Sequence, residues 1–580
     1  MSKADDKYAP REWHPDERPT MPGGPSFPAH SEARRIAFFL VGTLVTLTGG
    51  LGNALVTVNL VNLQGTLGAF SAEVNWLPVA YVMTNVSMNL LLVKFRQQFG
   101  LRAFTEAFLV LYALVTFGHL FVNDLGSAIA VRAAHGMVGA ALSTLGLYYT
   151  LQAFTKAWRP RGIIISVGIS QLAQPIAYLF SSRLLELAEW RGLYLFELGL
   201  TLVTLGAVLW LKLPPGDRFK AFRPTDFLTF SLFAPGMALL CAALTFGRVL
   251  WWTSEPWVGV ALALSIFLIV AAIAVEHNRK NPLLNLRWLT NGVIARLFIA
   301  MILVRVVLSE QSVGAVGFLR LVGLNNDQLT TLFAVVLLAT IAGIVFSALT
   351  FNPARMMAPQ VVALLIMALG AWVDSHATSV TRPEEMYLSQ ALLAFGGVMF
   401  LGPLLLTLMG SVITNPGNLI TFSVLFGLTQ NLGGLLGSSL LGTWQVTREK
   451  FHSSNLADTL SSLDPQVVAR IQQYGAAYGR VLTDPSARTR QGVALLTQTQ
   501  TREANILAYN DVFLAIAVLA TLLALWIFGR ALWIDYVAPK PAAAPAAPPP
   551  PSSARDAATD SPISTAAGEP PEPVADPTPR

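Results

Sequence analysis

Charge is what this 580-residue chain has least of. Asp, Glu, Lys and Arg make up 12% of it, about half the share carried by a soluble globular domain. Cysteine is nearly missing too. Cys241 stands alone inside an apolar run, so no intrachain disulfide can form. There is no Gly-x-x-x-x-Gly-Lys phosphate loop, no paired-cysteine motif and no helical His/Glu metal spacing. An ATP-driven pump would have to take its nucleotide loop from a partner chain, and enzyme chemistry has no motif behind it. The first residues do not read as a cleavable signal peptide. The net charge of +6 is small for this length and reflects basic loops, not a nucleic-acid surface.

What fills the chain instead is apolar: 53% hydrophobic residues at a mean hydropathy of +0.55. They fall in runs of about twenty, the length that crosses a hydrocarbon core as helix. The sequence is therefore that of an all-α polytopic membrane protein, with the lipid bilayer as its solvent. Fourteen spans are predicted, at 36–58, 74–93, 103–122, 127–150, 162–182, 192–211, 227–247, 256–275, 292–316, 328–350, 357–374, 386–410, 418–442 and 508–532. Loops after even-numbered spans carry fourteen Lys and Arg residues, among them Lys94, Arg96, Lys156, Arg159, Arg223 and Arg279; the opposite loops carry five. That bias puts both termini in the cytoplasm.

Residues 1–35 and 538–580 are Pro-rich and read as a disordered cytoplasmic arm and tail. Between them the expected order is a six-helix bundle (36–212), a basic connector (213–226), two inserted spans (227–276) and a second six-helix bundle (292–535). The second bundle contains a long external stretch, 445–507. Its apolar spacing at Leu456, Leu460, Leu463, Val467 and Ile471 suggests a helical hairpin above the membrane.

Few charges lie inside the spans, and such charges mark substrate or proton paths. Counted at about 1.5 Å per residue, Arg132, Glu197 and Glu310 fall in the outer third of the bilayer and Arg305 nearer the midplane. A carboxyl at that depth beside an arginine is poised between its two protonation states. Arg305 and Glu310 point roughly 140° apart on one helix, so each needs another partner. Asn53, Asn59, Asn85, Gln171 and Gln174 suggest a wet, ligand-lining face in the first half. Gly136 and Gly139 would let a second helix approach closely. His135 reads as a packed histidine more than a proton carrier. Pro175, Pro235 and Pro403 should kink their helices.

Four motifs appear in a distinctive order: Arg132-Ala-Ala-His-Gly136-Met-Val-Gly139, Trp190-Arg191-Gly-Leu-Tyr-Leu-Phe196, Asn431-Leu-Gly-Gly-Leu-Leu-Gly437, and Thr447-Arg448-Glu449-Lys-Phe-His452 followed by Tyr509-Asn510-Asp511-Val-Phe513. Together they resemble the major facilitator superfamily over about residues 36–535. The resemblance is strongest to its fourteen-span drug:proton antiporter branch, the EmrB/QacA-like exporters. It implies two six-helix bundles plus two inserted helices, and it ties Arg132 to proton coupling. It implies efflux of small amphipathic or aromatic compounds across a cell inner membrane by alternating access, driven by the proton gradient with no other cofactor. It also implies a periplasmic membrane-fusion adaptor and an outer-membrane channel, served by the face that carries Arg448, Glu449 and His452.

The departures from that pattern are informative. The first-span position where relatives commonly carry an Asp is Gly52 here, and the fifth-span motif is reduced to Gln174-Pro175. The acid must then sit elsewhere, with Glu197 the first candidate and Glu310 the second. Arg305 is expected with the amides at a substrate cavity. Two other readings stay open: a transporter of an organic acid or siderophore held by Arg132, Arg183 and Arg305, and a non-transporting scaffold that docks an adaptor.

Overall fold

A backbone that meets no water can close its hydrogen bonds within one segment only as a helix. The computed structural model describes residues 12–14, 16–279, 282–461 and 463–537, and these contain no strand. The first eleven residues, Lys280 and the tail expected over 538–580 lie outside the described residues. The main helices are α1 (Glu32–Val58), α2 (Trp76–Phe99), α3 (Leu101–Gly118), α4 (Leu125–Gln152), α5 (Arg159–Gln171), α6 (Ala173–Trp210), α7 (Pro224–Val249), α8 (Pro256–His277), α9 (Gly292–Leu308), α10 (Thr330–Leu349), α11 (Met357–Asp374), α12 (Tyr387–Thr414), α13 (Leu419–Thr459), α14 (Pro465–Ala476) and α15 (Pro485–Leu532).

Thirteen stretches are long and apolar enough to cross a membrane, and one of them runs for 52 residues through α5 and α6. That stretch folds back on itself. Ala188 and Glu189 leave the helical conformation, Glu189 with φ at 51°. The rings of Phe180 and Phe196 then lie 6.1 Å apart, where a straight helix would separate them by about 24 Å. Gly192 rests against the Leu184 carbonyl, and a Cβ there would collide with it. So α6 is a hairpin of two limbs.

In the first half α1 packs on α4 and α6, and α2 packs on α4 and α7; in the second, α12 packs on α10 and α11, and α9 on α13. The halves meet where α13 touches α2 and where α10 and α12 touch α5. The inserted helix α8 packs on α7 and exposes Val260, Ile266 and Phe267, as a lipid-facing helix does.

One end of the bundle carries most of the basic loops. There Asp226 of α7, with no exposed side-chain surface, takes Lys94 Nζ at 2.5 Å and Arg279 Nη2 at 2.6 Å. Arg279 also pairs with Glu276, to which Thr229 donates. These bonds tie the inserted pair to α2.

The arm expected to be disordered is folded against this same end from Asp16 onward. Ser26 N–H donates to Pro215 O at 3.1 Å, and Phe27 N–H to Glu17 O at 2.9 Å. Gln152 Nε2 donates to Ser26 O at 2.9 Å. Met21 and Phe27 are buried in the apolar cluster that also holds Val93, Leu151, Leu419 and Phe422, so they draw on both halves. Arg159 lies over the Phe27 ring at 3.8 Å. The prolines that made the stretch look unstructured instead lower the entropy lost on ordering it. The connector is held too: Arg102 Nε donates to Leu213 O at 2.9 Å, and Phe219 N–H to Gln97 O at 2.9 Å.

At the opposite end α13 and α15 run on past any bilayer. Their 41 and 48 residues span about 62 and 72 Å, roughly twice a hydrocarbon core. With α14 between them they form a helical projection over much of 445–507. Arg448 Nε and His452 Nε2 both reach Asp511 Oδ2, at 2.5 and 2.7 Å, and clamp α13 to α15. Glu449 is half-buried beside them.

Asp226→Ala should leave Lys94 and Arg279 without their shared counter-charge, a loss on the order of 3 kcal/mol for a buried pair. Thermal unfolding of the detergent-solubilised protein should show a clearly lower midpoint; an unchanged midpoint would mean the clasp carries no stability.

Candidate functional site

The site begins at the cap of α4. Asp124 accepts the Ser127 N–H at 2.8 Å and the Ser127 hydroxyl faces back to the Asp124 N–H, a capping box that starts the helix two turns before Arg132. Arg132 has no exposed surface. Its Nη1 donates to Gly52 O at 2.8 Å and to His135 Nδ1 at 3.1 Å; its Nη2 donates to Asn53 Oδ1 at 2.8 Å. The guanidinium also lies over the Tyr81 ring at 4.7 Å.

An arginine can only donate, so His135 Nδ1 is the accepting nitrogen and Nε2 carries the hydrogen. That Nε2 lies 2.8 Å from Glu197 Oε1, off the ideal hydrogen-bonding direction. Tyr112 O–H donates to the same oxygen at 2.9 Å. Glu197 is 1% exposed and His135 fully enclosed. His119 closes the far side. Its ring stacks on Tyr194 at 4.3 Å and meets His135 edge-on at 5.0 Å.

Arg132 and Glu197 are thus brought to one site, as their matched depths suggested, but His135 stands between them. His135, His119, Tyr81, Tyr112 and Tyr194 were not expected there. Three glycines make the room. A Cβ on Gly52 would collide with Tyr112 Oη, Glu197 Oε1 and His135 Cε1, so the carboxylate of Glu197 fills the space beside residue 52. A Cβ on Gly136 would strike the Tyr81 carbonyl, and one on Gly139 would come within 2.8 Å of Tyr81 Oη.

Glu310 is elsewhere. It opens a π-helical turn, Glu310–Ala315, after α9. Gln390 Nε2 contacts both its oxygens, at 3.0 and 3.2 Å, and also Asp374 Oδ2 at 2.8 Å. Asp374 is the last residue of α11. It is not among the charges counted by depth, and it is 3% exposed.

A central cavity separates these groups. It has two lobes of about 340 and 360 Å³ that share Asn53, Thr57, Gln171, Gln174, Arg305, Gln430 and Asn431. Asn85 lines the first lobe and Pro175 the second. Asn59 does not line it: this residue caps the end of α1, donates to Leu55 O at 2.8 Å and faces Asn326. An amide at a helix end meets the freed carbonyls before it meets a cavity. Arg183 is exposed outside it. Asn53 and Tyr81 belong to both the cavity wall and the Arg132 cluster.

The sequence profile of the Major Facilitator Superfamily matches residues 42–438. The chain belongs to the major facilitator superfamily. It is a multi-pass membrane transporter protein and not an enzyme. It is 22% identical over 446 residues to the uncharacterized MFS-type transporter YhcA of Bacillus subtilis (strain 168), covering 74% of this chain and 81% of that one. It is 21% identical over 460 residues to the acurin A biosynthesis cluster MFS-type transporter of Aspergillus aculeatus, 76% and 79% of the two chains. Over 227 residues, 38% of this chain and 43% of the relative, it is 26% identical to the major facilitator superfamily multidrug transporter mfsC of Aspergillus fumigatus. Its fold is shared with the human organic anion transporter MFSD10 at a TM-score of 0.52 and 12% identity, over 85% of this chain and all of that one. A POT family peptide transporter superposes equally, at 0.52 and 14% identity, over 88% and 99%.

Gly136→Val should push α2 away from α4, because the obstructing atom is a backbone carbonyl that cannot swing aside. A cost of about 1–3 kcal/mol is expected, read as a lower unfolding midpoint or as loss of monodisperse protein after solubilisation.

Proposed function

We propose that this transporter is a proton-coupled exporter of small amphipathic or aromatic compounds, in the manner of the drug:proton antiporter branch. The observation that carries the reading is the enclosed Arg132–His135–Glu197 cluster abutting an amide-lined cavity through Asn53 and Tyr81. An acid buried this deeply, beside a fixed cation and a histidine, changes charge only when the bundle opens to water. Charged, Glu197 draws the Nε2–H of His135 and the hydroxyl of Tyr112. Once protonated it releases its hold on His135, which frees Arg132 to shift its bonds to Gly52 and Asn53. Asn53 passes that change to the cavity wall. Glu197 thus stands in for the acid absent at residue 52, and Glu310 with Asp374 forms a second carboxyl pair in the other half.

Counting the two limbs of α6 separately makes fourteen crossings, in an inner membrane with both termini cytoplasmic. The projection built from α13, α14 and α15 then lies outside, where a periplasmic adaptor and outer-membrane channel would meet it. Arg448 and His452 serve that face as an internal clamp, not as free contacts.

Efflux in energised everted vesicles tests the coupling. Glu197→Gln should abolish transport driven by the pH gradient while leaving exchange without a gradient intact. Glu310→Gln is the comparison; if it and Glu197→Gln both pump like wild type, the assignment is wrong.

A further inference from the structure

The cavity wall mixes amide and apolar side chains, and its charge is of one sign. Among the described residues that line the first lobe, Arg305 is the one with a formal charge; the second lobe adds Arg320, and neither holds an Asp or Glu. The acids of the two halves are turned away. Glu197 lies behind Gly52, and Glu310 is enclosed against Gln390.

Arg305 is seated for this position. Gly433 of α13 lies against its stem, and a Cβ there would come 2.9 Å from Arg305 Cβ. The paired glycines of that helix therefore let the side chain lie flat and carry its head into the cavity. Nη2 donates to Gln430 O at 3.0 Å, and Nη1 reaches across to Gln171 Oε1 of the first half at a long 3.3 Å. Arg305 Nε and Gln430 Nε2 have no partner at all and are both closed off from solvent. A guanidinium in this setting keeps its charge. It has two neutral acceptors, one of them poorly placed, and Nη1 and Nη2 each keep an N–H beyond the bond they make. Such a set is short of acceptors, and an oxyanion supplies them.

We propose that the cargo is an anion: an amphipathic or aromatic carboxylate whose oxygens bind Arg305, with Gln430 and Gln171 beside it and Tyr148 and Phe422 against its apolar part. Because Arg305 belongs to the second half and Gln171 to the first, a bound carboxylate replaces a weak bond between the halves and couples cargo to their separation. This rests on the exporter reading above but not on where its proton binds.

The test uses the full chain in nanodiscs without any gradient and three probes of one shape: 1-naphthoate, 1-naphthamide and 1-naphthylmethylammonium. Equilibrium binding should be tightest for the carboxylate. Arg305→Gln should weaken naphthoate about tenfold or more, the size of a lost charged hydrogen bond, and leave naphthamide nearly unchanged. Arg305→Lys should restore part of the loss. Tighter binding of the ammonium probe overturns the proposal, as does the absence of saturable binding by all three. Equal weakening of all three by Arg305→Gln also overturns it, since that marks Arg305 as a latch between halves. If naphthoate binds through Arg305 and an imposed proton gradient fails to move it, the coupling reading falls while the anion site stands. If Glu197→Gln stops gradient-driven flux of a neutral compound while naphthoate does not bind, the coupling stands and the anion site falls.

Discussion

An arginine sealed inside a helical bundle must be given acceptors, because it cannot give up its proton and has no water to turn to. Arg132 finds them on neighbouring helices. The carbonyl of Gly52 and the amide of Asn53 come from α1, the ring of His135 from its own helix, and the face of Tyr81 from α2. Each of these places is open only because a side chain is missing next to it. Gly136 lets α2 come close enough for Tyr81 to lie under the guanidinium, and Gly52 leaves space for a carboxylate from α6. The local packing of four helices is therefore an answer to one charge.

Much of this was legible along the chain. Hydropathy places most of the helices close to their observed bounds, since a backbone in lipid has one way to satisfy itself; it does not reach the extension of α13 to Thr459 or of α15 back to Pro485, which lie beyond the apolar runs. Matched depth brought Arg132 and Glu197 together, because two helices entering from the same side put equal residue counts at equal heights. What depth cannot say is which residue fills the gap between two side chains. His135 is in that gap, and its place depends on how α4 is turned about its axis and on where α6 folds back at Glu189. Asp374 escaped notice for a related reason. It ends its helix, where a carboxylate normally meets water, and only the packing of α12 with Gln390 covers it. Asn59 shows the opposite error, an amide counted toward the cavity that is spent on the end of its own helix.

The two chemistries of the molecule are kept apart by this packing. Glu197 and Glu310 occupy enclosed positions, one in each half, while the cations that face the central space are Arg305 and Arg320. In the proposed coupling, a proton and a cargo would be handled at different addresses, with Asn53 and Tyr81 shared between the Arg132 cluster and the cavity wall. The separation also has an energetic side. If the cargo is an anion exported from an interior-negative compartment, as proposed, it would move with the membrane potential, each charge carried contributing about 2.3 kcal/mol per 100 mV. A proton taken in exchange would add its own share in the same direction.

The segment that precedes α1 has an awkward history built into it. Met21 and Phe27 are made before α1, yet the apolar cluster that takes them also draws on Leu419 and Phe422 of α13, made long afterwards. Until then the first bundle has a basic end that lacks its floor. The segment before α1 must wait, unshielded, until α13 arrives, and the closing of that end is a record that both halves have been made.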